Sequence, residues 1–197
     1  MIKDKTICLL LPGPSIQELH SVMPIENVLF ASLNRFSFIE NDFLKPYNKK
    51  MDLVWCSSFP RFEEQEENII QFINNGGTFY TSHELFLTYL PTMGICRNQI
   101  ILSSEGIGLC SLFCFLAKLI SQEPKKIILV GADGHSHSNK VYYNDSNLEN
   151  ENLQERRLTI LRDTKIWYPP SKTEIVKTNC NSCYDIFEYQ SLKEAIK

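Results

Sequence analysis

The chain has 197 residues, of which 43% are hydrophobic and 22% are charged, and its formal net charge is −3. This length and composition predict one soluble globular domain that buries about 70% of its surface without disulfides or metal staples. The lack of a basic excess argues against a nucleic-acid partner. No apolar run is long enough for a membrane span or a signal peptide, so we expect a cytoplasmic protein.

The seven cysteines are an odd number, and several lie in apolar runs, where a thiol behaves as a small hydrophobic group. Cys180 and Cys183 form a CxxC pair with no second pair and no nearby histidine pair. We interpret this pair as structural rather than as a metal or redox site.

The first predicted unit is an apolar strand at 6–11, a turn containing Gly13 and Pro14, and a helix. Ser15 is a candidate N-cap, and Glu18 three residues later would complete a capping box. Such a helix start is suited to a phosphate, because free N–H groups and the positive helix end converge there. A capped helix without a ligand is the alternative interpretation.

A second strand at 27–32 ends next to Asn34 and Arg35. The side-chain amide of Asn34 can hydrogen-bond both donors and acceptors of a base or sugar, although this segment taken alone favours a simple turn asparagine. The further elements predicted before residue 98 are strands at 51–57 and 78–81 and helices at 63–75 and 84–89.

Residues 98–102 lead into Ser103-Ser104-Glu105-Gly106 and then into a helix that is apolar nearly all round. This pattern predicts a buried helix. The hydroxyls, the carboxylate and the glycine at its start suit helix capping, close approach of the backbone to a ligand, or both.

The aliphatic run at 127–130 ends in Gly131-Ala132-Asp133, and His135, His137 and Tyr142 follow. The run predicts a buried parallel strand, and ligands bind at the carboxyl ends of such strands in open α/β sheets. The polar stretch that follows indicates an exposed loop or lid, for which we take 136–166. The last predicted elements are a helix at 155–161, a strand at 174–178, a turn at 179–182 and a helix at 184–196.

The alternation of strands and helices predicts an α/β fold: a single Rossmann-like domain over 1–197, with a mostly parallel sheet flanked by helices and a flexible lid. The order of these motifs resembles the bacterial sialyltransferases of glycosyltransferase family 42. It also resembles their wider relatives, the flagellin-modifying motility accessory factors and the archaeal 6-hydroxymethylpterin diphosphokinase-like proteins. The resemblance is best over 6–36 and 100–145.

The sialyltransferase resemblance implies a CMP-linked nonulosonic acid, such as CMP-sialic acid, as donor substrate, a bacterial surface glycan (lipopolysaccharide or capsule) as acceptor, and no cofactor or metal. It is compatible with peripheral association at the inner face of the membrane and with a homo-oligomer. Matched to the family's motifs, the nucleotide-binding residues are Gly13, Pro14, Ser15, Asn34, Ser103, Ser104, Glu105, Gly106, Gly131 and Asp133.

The catalytic candidates come from the resemblance and from what transfer from a CMP-sugar requires. Tyr142 and His135 are the candidates that stabilise the leaving phosphate, and His137 or Asp133 is the candidate base for the acceptor hydroxyl. The sequence departs from the family pattern, because Pro12 replaces an asparagine and no histidine follows His137. Metal binding by the two histidines, or a surface loop without chemistry, are the alternatives.

Two other functions remain open at this point. One is a Mg²⁺- and ATP-dependent diphosphokinase of the pterin type, in which Asp133, Asp145 or Glu105 would hold the ion. The other is a non-catalytic module that binds a nucleotide or a partner, which the short chain and the missing downstream histidine favour.

Overall fold

The structure is a computed structural model that describes residues 2–104, 109–133, 152–167 and 172–197, and within the helix at 152–166 the side chains from residue 158 onwards. The chain divides into two compact units. Unit 1 comprises 1–28 and 119–197, and unit 2 comprises 29–118. Each unit is described by itself below, and the single-domain organisation stays a prediction.

The described residues contain eight strands and seven α-helices. The strands are β1 (Thr6–Leu10), β2 (Val28–Leu33), β3 (Leu53–Trp55), β4 (Thr78–Thr81), β5 (Ile100–Leu102), β6 (Lys126–Val130), β7 (Glu174–Lys177) and β8 (Glu188–Tyr189). The α-helices are α1 (Phe36–Ile39), α2 (Phe59–Glu63), α3 (Glu66–Asn74), α4 (Phe86–Thr92), α5 (Ser111–Ile120), α6 (Asn152–Ile166) and α7 (Leu192–Ala195). Short 3₁₀ segments at Pro14–Ser21, Lys45–Tyr47 and Arg97–Gln99 and a π-helical turn at Glu40–Leu44 complete the set.

The strands of each unit pair in parallel. In unit 1 the order is β1-β6-β7-β8, with Ile128 opposite Cys8 on one side and Val176 on the other. In unit 2 the order is β5-β4-β3-β2, with Val54 between Ser32 and Phe79. Parallel strands with helices in the connections confirm the predicted α/β class.

Burial explains why these strands were recognisable. The last four residues of β1 and of β6 are buried, as expected for strands covered on both faces. Helix α5 is also buried along most of its length, and in unit 2 the ring of Phe115 packs on Trp55 and Tyr80, with centroids 5.6 and 5.5 Å away. The buried helix expected after residue 106 is therefore confirmed.

Several predicted helices were wrong in extent. The helix predicted at 63–75 is α3, which begins only at Glu66, and the preceding helix α2 was not predicted. Gln65 lies between them, and its buried amide donates to the Arg61 carbonyl and accepts from the Ser37 hydroxyl. The terminal helix at 184–196 is reduced to α7, preceded by β8. Its start is fixed by a Ser191–Glu194 capping box. Among the helices in the described ranges, none combines the length and the apolarity needed to cross a membrane.

Candidate nucleotide site

The turn after β1 lies against the end of β6 in unit 1. Leu11 N–H donates to the Val130 carbonyl at 2.8 Å, and Gly13 N–H donates to the Gly131 carbonyl at 3.1 Å. Gly131 has φ +74, and a Cβ there would lie 2.0 Å from the Leu11 carbonyl oxygen. Glycine is required here because the conformation is left-handed and the backbones approach closely.

Asp133 joins three segments of unit 1. Asp133 is only 8% exposed. Its carboxylate accepts hydrogen bonds from the Ser15 N–H at 2.8 Å, from the Ser15 hydroxyl and from the Asn179 amide. The structure therefore brings together four predicted site residues, Gly13, Ser15, Gly131 and Asp133. The three bonds favour a positioning role for Asp133, because a base would have to give them up.

The predicted capping box at the start of the first helix is wrong. The segment is a 3₁₀ helix whose N-cap is Gly13, and Ser15 bonds to Asp133 instead of capping. The Ile16 N–H donates to the Gly13 carbonyl. The sequence predicted that free N–H groups at this helix start could bind a phosphate. Pro14 has no N–H, and the N–H groups of Ser15 and Ile16 both have acceptors within the protein.

Glu18 follows Ser15 by one turn of this 3₁₀ helix, and residues three apart lie on the same face of such a helix. Partial burial raises the pKa of its carboxyl, and the neighbouring charge of Asp133 raises it further. Glu18 is thus a carboxyl close to the junction that Asp133 forms with Ser15 and Asn179, and not a partner of the Ser15 backbone.

Sequence reasoning missed the segment that follows β7. Asn179 donates to Asp133, and the buried Ser182 hydroxyl donates to the Ala132 carbonyl. Lys177 is only 6% exposed, and its Nζ donates to the carbonyls of Ser182 and Tyr184, each at 3.2 Å. The sequence signal that could have revealed this segment is its run of polar residues directly after the predicted strand at 174–178.

In unit 2, Asn34 and Ser103 lie at the carboxyl ends of β2 and β5. Asn34 has φ +48, and its N–H donates to the Trp55 carbonyl at 2.8 Å. Its side-chain Oδ1 is buried and has no hydrogen-bond partner among the described residues. Ser103 N–H donates to the Thr81 carbonyl at 2.8 Å, and Ser104 is exposed. Both predicted segments therefore lie on the ligand-binding edge of this sheet.

The remaining predicted site residues lie outside the described residues. They are Glu105, Gly106, His135, His137 and Tyr142, together with Asp145 and positions 136–151 of the expected lid. The rest of the expected lid, 152–166, is helix α6. Within the described ranges, no three His, Cys, Asp or Glu side chains are grouped so that they could hold a metal ion.

The described cysteines carry no disulfide. Cys180 is exposed, Cys183 is half-buried, and neither forms a disulfide. Burial raises the pKa of Cys8 to about 12 and that of Cys56 to about 11, so these two thiols stay protonated and serve as core side chains.

The parallel strands, with asparagine, serine and aspartate at their carboxyl ends, define an α/β fold of the Rossmann-like class. Within that class, the chain has the fold of bacterial sialyltransferases. The sialyltransferase CstII from Campylobacter jejuni in complex with cytidine-5′-monophosphate matches with a TM-score of 0.65 and 18% identity, over 96% of this chain and 86% of that chain.

Two further solved structures give the same result. CstII in complex with a trisaccharide acceptor and CMP matches with a TM-score of 0.62 and 16% identity, over 97% of this chain and 88% of that chain. An α-2,3-sialyltransferase from Campylobacter jejuni in apo form matches with a TM-score of 0.58 and 16% identity, over 97% and 81%. No family model and no curated protein matches the sequence.

These likenesses confirm the expected resemblance to bacterial sialyltransferases at the level of the fold. They do not bear on the resemblance to the motility accessory factors or to the pterin diphosphokinases, which stays a prediction.

Proposed function

We propose that this protein is a sialyltransferase-like glycosyltransferase that transfers a sugar, a nonulosonic acid such as sialic acid, from a CMP-activated donor to a bacterial surface glycan. The fold supports the proposal, because it matches CMP-bound sialyltransferase structures over nearly the whole chain. Peripheral membrane association, a homo-oligomeric state and a role in lipopolysaccharide or capsule synthesis belong to the same proposal.

The observation that carries the donor assignment is the side chain of Asn34. A buried amide oxygen without a partner costs about 1–3 kcal/mol. A ligand that donates a hydrogen bond to it removes that cost, and the exocyclic amine of cytosine and the ribose hydroxyls are such donors. The residue as a whole is half-buried and lies at the carboxyl end of β2, the edge at which open α/β sheets bind ligands.

The transfer chemistry is assigned to the segment after β6. Departure of CMP from the sugar places negative charge on the phosphate, which His135 and Tyr142 would stabilise. The acceptor hydroxyl needs a base, and histidine is suited to this at neutral pH. Because Asp133 is held by three hydrogen bonds, we assign the base to His137 and a positioning role to Asp133.

Thermal shift with CMP, CDP, UDP, GDP, ADP and ATP, each with and without Mg²⁺, tests the proposal. A nucleotide at 100 times its Kd stabilises the protein by about 2.7 kcal/mol, which is a shift of about 5–11 °C for a chain of this length. We expect selective stabilisation by CMP or CDP that does not require metal.

Asn34→Gly should abolish this shift. Glycine keeps the left-handed conformation, so the substitution removes the amide without backbone strain. Asn48→Gly is the matched control, because Asn48 is also an asparagine with positive φ, +56, and follows a 3₁₀ turn remote from the carboxyl ends of the strands. Equal CMP shifts in the two variants would contradict the assignment of Asn34.

The same panel separates the alternatives. Stabilisation by ATP only in the presence of Mg²⁺ would favour the diphosphokinase. Stabilisation by CMP without transfer from CMP-sialic acid to a panel of glycan acceptors would favour the non-catalytic module. The absence of any shift would reject both nucleotide-dependent functions.

A further inference from the structure

Unit 2 has a cavity at the edge of its sheet opposite to Asn34 and Ser103. Its volume is about 230 Å³, and it lies where the chain enters β3 and β4, since Asp52 precedes β3 and Gly76 and Gly77 precede β4. A ligand bound there would be separate from the predicted nucleotide-binding residues. Seven polar side chains dominate the lining: Glu40, Lys45, Lys50, Asp52, Asn68, Gln71 and Asn75.

Three of these side chains are amides on one flank of α3 and its C-cap. Asn68, Gln71 and Asn75 are spaced three and four residues apart, which places them on the same side of a helix. Among the described residues, none of these amide side chains has a hydrogen-bond partner. Each amide offers one acceptor oxygen and two donor hydrogens. All three residues are exposed, so in the free protein their amides bond to water, which a polar ligand in the cavity would replace.

Two carboxylates in the lining are fixed by backbone groups. Asp52 Oδ2 accepts from Phe30 N–H at 2.8 Å, and Glu40 Oε1 accepts from Met51 N–H at 2.7 Å. These bonds orient the carboxylates and, within the described part of the chain, leave the second oxygen of each unused. The lining thus combines fixed acceptors with the adaptable amides of α3.

The charges around the cavity cancel. Lys45 and Lys50 also line it, so two cationic groups balance the two carboxylates. Burial raises the pKa of Asp52, against the lowering effects of the Phe30 N–H and of Lys50, and the Glu40 charge raises it further. A cavity with no net charge and many neutral donors and acceptors discriminates against ions and favours a neutral ligand rich in hydroxyls.

We propose that this cavity binds a single neutral sugar ring. Its volume of about 230 Å³ is enough to hold one sugar ring. Each sugar hydroxyl donates and accepts, as the amides and carboxylates require, and the side chain of Phe72, 8% exposed, adds an apolar surface for the ring's C–H groups. The proposal is independent of the proposed transferase activity.

Two-dimensional NMR of the ¹⁵N-labelled full chain tests this, because the side-chain amides of asparagine and glutamine are observed directly. Glucose, galactose and N-acetylgalactosamine would be titrated to about 50 mM, fifty times a millimolar Kd. We expect at least one sugar to cause saturable shifts in the side-chain signals of Asn68, Gln71 and Asn75. The substitutions Asn68→Ala and Asn75→Ala should each raise its Kd roughly threefold to tenfold.

Asn74→Ala is the matched control, since Asn74 is an exposed amide on the same helix that does not line the cavity, and alanine is compatible with a helix at all three positions. The Kd should be unchanged in this variant. Absence of saturable shifts, an equal loss in Asn74→Ala, or stronger binding of acetate or spermidine than of any sugar would overturn the proposal. The variant Asn34→Gly separates the two sites. It should lose CMP binding, and its Kd for the sugar should be unchanged.

Discussion

Replacing Asp133 with asparagine tests whether the junction in unit 1 is held by a carboxylate. Asparagine has nearly the same shape, but only one of its two terminal atoms is an acceptor. If its nitrogen faces the Ser15 N–H, two donors oppose each other. If its nitrogen faces Asn179, that amide must reverse and give up its bond to the Asn181 N–H at 2.9 Å.

In either orientation at least one hydrogen bond is lost, and the others lose a charged acceptor. Bonds to charged groups contribute about 1.5–3 kcal/mol and an unsatisfied buried donor costs about 1–3 kcal/mol, so Asp133→Asn should destabilise the protein by about 2–4 kcal/mol. For a chain of this length, the Tm should fall by about 4–16 °C.

Thermal unfolding followed by circular dichroism at neutral pH measures this effect. Asp185→Asn is the control, because Asp185 is 84% exposed and lies 3.7 Å from Lys177, so its removal should change Tm by about 2 °C or less. Equal Tm values for the two variants would show that the Asp133 contacts add nothing to stability and would refute the assignment of the junction.

Two further substitutions test the neighbouring groups. Gly131→Ala should lower the Tm far more than Gly94→Ala, because both positions have positive φ but only at Gly131 does the new Cβ meet a backbone oxygen, at 2.0 Å; similar Tm losses would contradict the close approach. Glu18→Gln should raise the Tm slightly at neutral pH, where the Glu18 carboxyl is ionised in the unfolded chain, and leave it unchanged at about pH 3.5. The raised pKa of Glu18 means that its ionisation opposes folding above the unfolded-state pKa, and the effect is small because the side chain is largely solvated. A variant that is less stable at neutral pH would show that the charge of Glu18 is favourable.

The buried strands were predictable because they bury both faces, whereas β8, whose two residues are exposed, was not predicted. β4 occupies 78–81, as the sequence indicated, and β6 differs from the predicted run only by the inclusion of Lys126. In such strands the apolar run is itself the signal, and no long-range information is needed. The helices at 36–47 were missed because their backbone departs from α-helix into π and 3₁₀ turns that no simple periodicity describes.

The predicted site was recovered in part, since the sequence located Ser15 and Asp133 but not the bond between them. Ser15 and Glu18 have the spacing of a capping box, and local rules select that pairing. Asp133, 118 residues further along the chain, is a stronger partner because its carboxylate accepts from both the hydroxyl and the N–H of Ser15. Asn179 was missed for the same reason, since its partner lies 46 residues away.

The hydrogen bonds of Asp133 also bear on which predicted residue is most important for nucleotide recognition. A nucleotide phosphate and the Asp133 carboxylate are both anions, and the carboxylate already accepts from the N–H and hydroxyl of Ser15. A phosphate at that turn would have to displace the carboxylate or bind beside it, and both are unfavourable. Asn34 has the opposite property, because its buried oxygen has no hydrogen-bond partner among the described residues and is open to a donor from a ligand. Nucleotide recognition is therefore expected to rest on the amide of Asn34, with Ser15 and Asp133 maintaining the shape of the turn.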